Sequence, residues 1–285
     1  MDHFKVGIIA DWLGLPFRES MEKCAQLGAD GVQLYAVDGE MAPENMTPAL
    51  IAERNDIIRS NGLTVSALCG DLGGHGFAIP EDNPKKIERS KRIVDLALEM
   101  GANIVTTHIG VIPSEHNDTY RTLQAACNEL AEYAGSCGAY FAIETGPEPA
   151  DRLRAFLDSL DFKGVAVNLD PANLVMVTDD DPVKAVFTLR DYIVHTHAKD
   201  GVLVKKTDPK IIYDFFAEGG IGDLRLEEYF KELPLGQGNV DFDGYLGALG
   251  EIGFHGFLTI EREVGANPAA DIALAVDFLR RHPRF

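Results

Sequence analysis

Residues 84–110 read PKKIERSKRIVDLALEMGANIVTTHIG. Apolar residues recur at spacings of three and four from Pro84 to Met100, the pattern of a helix with one buried face. Gly101 follows as a helix-ending residue. Asn103–Gly110 is then short, apolar and rich in β-branched residues, as a buried strand is. The same unit repeats outward in both directions. Strand-like runs fall at Phe4–Trp12, Gly31–Val37, Leu63–Leu72, Asn103–Gly110, Tyr140–Gly146, Val165–Pro171, Ile193–Asp200 and Gly256–Glu263. Amphipathic stretches lie between them at Arg18–Leu27, Thr47–Asn61, Pro84–Met100, Thr119–Cys137 and Asp241–Ile252, and Gly28, Gly62, Gly101, Gly138 and Gly253 follow them. Eight βα units in 285 residues predict a closed parallel (β/α)8 TIM barrel in one domain, residues 1–285.

One interval breaks the rhythm. Strand seven ends near Asp200 and strand eight begins near Gly256, so an extended loop joins them. Its polar part, Gly201–Glu232, contains Gly219-Gly220-Ile221-Gly222 and the aromatic residues Tyr213, Phe215, Phe216, Tyr229 and Phe230. That aromatic content predicts packing against something, as a lid or a subunit contact; a solvent loop is the alternative.

Composition narrows the class. The hydrophobic fraction of 46% supports a large core, and no apolar run reaches the roughly 18 residues of a membrane span. The N-terminus lacks the basic start and apolar core of a signal peptide, so a cytoplasmic location is expected. A net charge of −19 without a basic cluster counts against a nucleic-acid partner. The four cysteines, Cys24, Cys69, Cys127 and Cys137, form no CxxC pair and read as buried small hydrophobes.

The chemistry lies in polar residues embedded in apolar strands. Strand five ends in Ala-Ile-Glu144, strand six in Asn168-Leu-Asp170-Pro, strand seven in His195-Thr-His197-Ala-Lys199-Asp200, and strand eight in Thr-Ile-Glu261-Arg262-Glu263. Adjacent strands lie about 4.8 Å apart, so two glutamates, an aspartate and a histidine collect at one place. The alternation of side chains lets all four point inward. Converging carboxylates repel unless a cation joins them, and a mixed nitrogen and oxygen set suits one divalent ion: Mn, Co, Mg, Zn or Fe.

The ordered set Ala-Ile-Glu144, Asn-Leu-Asp170-Pro-Ala-Asn173-Leu, His195-Thr-His197-Ala-Lys199-Asp200, Pro234-Leu-Gly236-Gln-Gly238-Asn-Val-Asp241-Phe and Thr-Ile-Glu261-Arg resembles the xylose isomerase-like TIM-barrel superfamily over essentially the whole chain. That superfamily takes in sugar phosphate isomerases and epimerases, inosose isomerases and dehydratases, and the abasic-site endonucleases of AP endonuclease family 2. The resemblance implies that Glu144, Asp170, His197 and Glu261 hold the metal and that Glu144 and Glu261 also move substrate protons. It implies an isomerase acting on a ketose or related polyol ketone, with a small-molecule sugar as partner. Barrels of this type form dimers or tetramers, so a homo-oligomer is expected. An inosose-type dehydratase is the alternative on the same site; an abasic-site endonuclease and a non-catalytic sugar-binding barrel rank lower. The chain departs from the pattern at Asn173, where several members carry histidine, and it lacks the Asp-x-His that endonuclease IV uses after strand seven.

Further candidates surround the quartet. His75, in Gly73-Gly-His75-Gly76 after strand three, and His108, at the end of strand four, are candidate substrate contacts or, with Glu144, ligands of a second metal. Trp12, at the end of strand one, is placed to stack on a sugar face, and Asn173 to bond a hydroxyl. Lys199 is placed to steady an oxyanion or to pair with Glu261 or Glu263. His195 reads as a core histidine beneath His197, Glu263 as a rival to Glu261 for the metal, and Gly236-Gln-Gly238 as a turn rather than a dinucleotide fingerprint.

Overall fold

The structure, a computed structural model, describes residues 4–265 and 267–285. The first three residues of the N-terminal reading lie outside the described residues. Eight parallel strands close into a barrel: β1 (Lys5–Ile9), β2 (Gly31–Tyr35), β3 (Thr64–Cys69), β4 (Ile104–Thr107), β5 (Tyr140–Glu144), β6 (Val165–Leu169), β7 (Ile193–Ala198) and β10 (Phe257–Ile260). The last of these is the eighth barrel strand; it sits between β7 and β1 and closes the ring.

The helices outside the barrel are α1 (Phe17–Leu27), α2 (Pro48–Ser60), α3 (Asn83–Glu99), α4 (Asp118–Ser136), α5 (Ala150–Asp158), α7 (Pro182–Leu189), α9 (Phe242–Glu251) and α10 (Pro268–Arg280). Their starts follow local chemistry. Thr47 accepts a hydrogen bond from the Leu50 amide and Asp181 from those of Val183 and Lys184, each ahead of a proline that needs no donor partner. Their ends follow it too. Gly28, Gly62, Gly101, Gly138 and Gly253 all take φ between 71° and 91°, a left-handed conformation that side chains with a Cβ resist. The buried faces of strands and helices join in one continuous apolar cluster from Phe4 to Leu279. Cys24, Cys69 and Cys127 are buried within the fold as expected, but Cys137, just past the end of α4, is exposed.

Strands are shorter than their apolar runs, because each run continues past the ladder into the loop above it. Trp12 therefore lies on a 3-10 turn (Ala10–Leu13) rather than on β1. Asp170 lies past β6 as the N-cap of a one-turn helix, α6 (Pro171–Asn173), which runs on into a π-helical turn at Leu174–Thr178.

The segment after β7 has structure of its own. β8 (Asp200–Leu203) and β9 (Phe230–Leu233) form an antiparallel ladder, and α8 (Pro209–Glu218) lies between them. The Asp200 carboxylate accepts hydrogen bonds from the amides of Gly201, Gly236, Gly238 and Val240 at 2.8–3.1 Å. It shapes the Gly236-Gln-Gly238 turn as the chain leaves the insertion. A Cβ at Gly238 would collide with Asp200 Oδ1, so the turn requires glycine there.

Candidate metal centre and active site

Four elements at the C-terminal rim bring together Glu144 (end of β5), Asp170 (cap of α6), His197 (β7) and Glu261 (just past β10). One ligand atom from each lies within 4.8 Å of the other three, and all four residues are buried. His197 Nδ1 is 3.6 Å from Glu144 Oε1, 3.3 Å from Asp170 Oδ2 and 3.2 Å from Glu261 Oε2. Asp170 Oδ1 is used by the Asn173 amide at 2.8 Å. Asp170 Oδ2 and His197 Nδ1 are buried without a hydrogen-bond partner. Buried atoms of this kind are costly unless something binds them, and a divalent cation shared with the two glutamates is what this donor set fits. Burial disfavours a charged imidazole at His197, yet Glu261 and Glu144 outweigh it and hold the ring's pKa well above the usual value.

A polar layer inside the barrel orients the quartet. Asn168 is buried beneath it: its Nδ2 donates to Glu144 Oε2 at 3.2 Å, and its Oδ1 is 2.9 Å from His195 Nδ1. His195 Nε2 in turn lies 3.1 Å from Thr259 Oγ1. Gln33 on β2 places Oε1 3.2 Å from His197 Nε2, and its amide nitrogen donates to Thr106 Oγ1 at 3.1 Å. His197 Nε2 lies equally close, at 3.2 Å, to Asn168 Nδ2; the tautomer that donates Nε2–H to Gln33 is the one that turns the Nδ1 lone pair to the carboxylate side, as a metal ligand needs. Asn168, Gln33, Thr106 and Thr259 come from alternate strands, which is how barrel interiors are layered. His195 is a core histidine, as expected from its depth. Burial, then the neighbouring His197, hold its pKa well below the usual value.

Lys199 is buried at the edge of the quartet. Its Nζ donates to Glu261 Oε2 at 3.0 Å and to Glu263, with Glu232 of β9 at 4.0 Å. Burial tends to raise the Glu261 pKa, but Lys199 and then His197 overcome it and leave the group below the usual range. Glu232 also accepts from Arg262, which pairs with Asp271. Glu263 is thus engaged by Lys199 and is not part of the four-residue cluster.

A sequence profile described as xylose isomerase-like TIM barrel matches residues 21–282. The chain belongs to this family. Among solved structures, a xylose isomerase domain protein from Planctomyces limnophilus aligns with a TM-score of 0.78 at 24% identity, over 98% of this chain and 96% of that one. The probable 3-DHS dehydratase AsbF from Bacillus anthracis gives 0.75 at 16%, over 98% and 99%. D-psicose 3-epimerase from Clostridium cellulolyticum H10, solved with D-tagatose, gives 0.71 at 16%, over 97% and 98%. At these identities the structures establish the shared fold. No curated protein sequence matches the chain significantly.

In this xylose isomerase-like barrel the remaining candidates divide. Asn173 reaches the quartet, where its Nδ2 donates to Glu144 Oε1 at 2.9 Å. His108 Nδ1 pairs with Asp71 at 2.9 Å, and its Nε2 lies 3.9 Å from Glu144 Oε1 without a hydrogen bond. Burial works against its charge, but Glu144 and then Asp71 push its pKa up to about 9. His75 is committed elsewhere: its Nε2 is 2.8 Å from Glu218 and its Nδ1 3.7 Å from Asp214, both on α8. The four-residue cluster includes neither His75 nor His108. Trp12 packs edge-on against Tyr35, ring centroids 6.1 Å apart, with a buried indole N–H that has no partner. Gln33, Asp71, Glu148 and Glu232 carry no assignment in the sequence reading, and Tyr213 enters it only as one of the insertion's packing aromatics. Gln33 carries the signal used for Asn168, a polar residue inside an apolar strand; the aromatic content of the insertion predicts that Tyr213 packs, and its partner is His108.

Proposed function

We propose that the protein is a divalent-metal-dependent sugar isomerase or epimerase, acting as one domain on a ketose or related polyol ketone. The convergence of Glu144, Asp170, His197 and Glu261, with Asp170 Oδ2 and His197 Nδ1 left without partners, carries this reading. These four residues would hold one ion, whether Mn, Co, Mg, Zn or Fe. When bound, it supplies a Lewis acid for the substrate's carbonyl and neighbouring hydroxyl oxygens.

The chain's own groups then move the proton. Glu144 and Glu261 stand on β5 and beyond β10, with β6 and β7 between them, so they can flank a bound substrate. One carboxylate takes the proton from the carbon beside the carbonyl and the other returns one. The amides of Asn168 and Asn173 fix the Glu144 carboxylate from two directions. Lys199 keeps Glu261 ionised and able to accept a proton. Return to the opposite face is epimerisation; return to the neighbouring carbon is aldose–ketose isomerisation. Loss of a β-hydroxyl instead makes the enzyme a dehydratase, the second reading, since the fold is shared by a dehydratase as well as an epimerase. Self-association is part of the proposal. It is supported by apolar side chains that the insertion leaves exposed, Phe216 and Ile221 among them, and light scattering tests it.

The test is elemental analysis of the purified protein, then a panel of ketoses and inososes in deuterated water followed by NMR. Deuterium entering the carbon beside the carbonyl supports the reading, and a dehydrated product moves the enzyme to the lyases. Glu144→Gln and Glu261→Gln are each expected to abolish exchange; retained exchange in both single variants overturns their roles.

A further inference from the structure

The four candidate ligands are almost sealed from solvent: Glu144 and Glu261 are 7% exposed, His197 1% and Asp170 0%. A substrate must therefore displace something to reach them, and the element over the rim is α8. It touches the loop after β3 through His75, which pairs with Glu218 and Asp214. It reaches the end of β4 through Tyr213, whose ring centroid is 5.5 Å from that of His108. It reaches the loop after β5 as well, since a Cβ at Gly146 would collide with the Tyr213 hydroxyl. It also packs on the Leu174–Thr178 turn that follows α6. One helix thus crosses the loops above four consecutive strands.

Its hold there is light. Ile212 is the fully buried residue on α8, while Ile211 is 38% and Phe216 57% exposed. Tyr213 is the exception in kind. Its ring is half-buried and packs on the core, and its hydroxyl makes no hydrogen bond among the described residues. Burial, and then the charges of Glu144 and Glu148, drive its pKa well above the ordinary phenol value. A phenylalanine would pack equally well, so the hydroxyl, held over Gly146 on the rim, adds nothing to the packing and is left for a ligand. On the neighbouring rim segments, His108 Nε2 and Glu148 Oε1 are buried without partners.

The geometry points to α8 as a lid that swings out to admit substrate and, on closing, sets the Tyr213 hydroxyl against a substrate oxygen beside Glu144, with His75 as its latch to the rim. This deepens the reading of the site as one for polyol ketones and rests on it.

The test loads the full-length protein with Co2+ and follows its loss to excess chelator by the cobalt absorption band. His75→Ala removes a partly exposed pair and is expected to speed release about threefold. Tyr213→Ala also loses ring packing and is expected to speed it about tenfold. Tyr213→Phe keeps the packing and should release at the wild-type rate. Non-reacting polyols, xylitol or myo-inositol, should slow release from wild type, and Tyr213→Phe should need about five- to tenfold more polyol for the same protection. Release rates unchanged in both His75→Ala and Tyr213→Ala overturn the lid. Protection that is absent in wild type, or equal in Tyr213→Phe, overturns the hydroxyl's role. Failure of the isomerase reading looks different: no deuterium exchange across the ketone panel, with these release and protection effects intact.

Discussion

Glu148 sits in the Gly146-Pro147-Glu148-Pro149 turn above β5 and is 1% exposed. Its Oε2 accepts the Ile112 amide at 3.2 Å, and its Oε1 has no partner. Burial pushes its pKa from 4.5 up to about 8, against the pull of the Ile112 amide, Arg152 and His108. At pH 7 the folded chain therefore holds a neutral acid where the unfolded chain holds a carboxylate. Folding takes up a proton between pH 4.5 and about 8, so this group's contribution to stability falls as pH rises through that window and levels off above it. The interval from 4.5 to about 8, at about 1.4 kcal/mol per pH unit, sets an upper bound of about 5 kcal/mol. Glu148→Gln cannot ionise, and its carbonyl can still accept the Ile112 amide. Urea unfolding of both proteins at pH 5, 6, 7, 8 and 9, with the same metal concentration, isolates the term by difference. The variant should gain on wild type by up to about 1.4 kcal/mol per pH unit from pH 5 to 8, then hold steady. A difference that stays flat from pH 5 to 9 would refute a buried neutral Glu148.

Three further outcomes follow from the same contacts. Asn168→Leu removes the amide that links Glu144 to His195 and should weaken metal binding about 10- to 100-fold by chelator competition; unchanged affinity would mean that the polar layer does not orient the ligands. Lys199→Met leaves Glu261, Glu263 and Glu232 crowded without their cation, and urea unfolding should show a loss of about 3–5 kcal/mol, with saturating metal restoring part of it. Gly238→Ala forces a Cβ into Asp200 Oδ1; it should lower stability by about 1–3 kcal/mol and make the insertion more open to limited proteolysis, whereas Gly247→Ala, where a Cβ meets no atom within 4 Å, should not.

Much of the barrel and its centre could be read before any coordinates. Apolar runs with period two or none, helical faces and the glycines after them are local signals, and each strand end placed its acid or imidazole independently. Glu144, Asp170, His197 and Glu261 came together because barrel closure turns four separate strand ends into neighbours. The rim was less legible. The places of Trp12 and His75 after their strands do not fix where their side chains turn, since a loop side chain follows its partners. His75 turns to two acids on α8, more than 135 residues further on. The bond from Asn173 to Glu144 depends on a helical turn that begins at Asp170, which a strand-end pattern does not reveal. The insertion reads as a loop in the sequence because its two strands are four residues each and pair only with one another.

That pairing has a consequence for how such an enzyme changes. The β8–β9 ladder, tied off by Asp200, works as a clasp: the chain leaves and rejoins the barrel at nearly one point, and everything from 204 to 229 hangs beyond it. A graft made outside the clasp would exchange the canopy while leaving the staves that carry the four clustered residues untouched. Different canopies can therefore be tried on this scaffold one at a time, with Glu144, Asp170, His197 and Glu261 held constant.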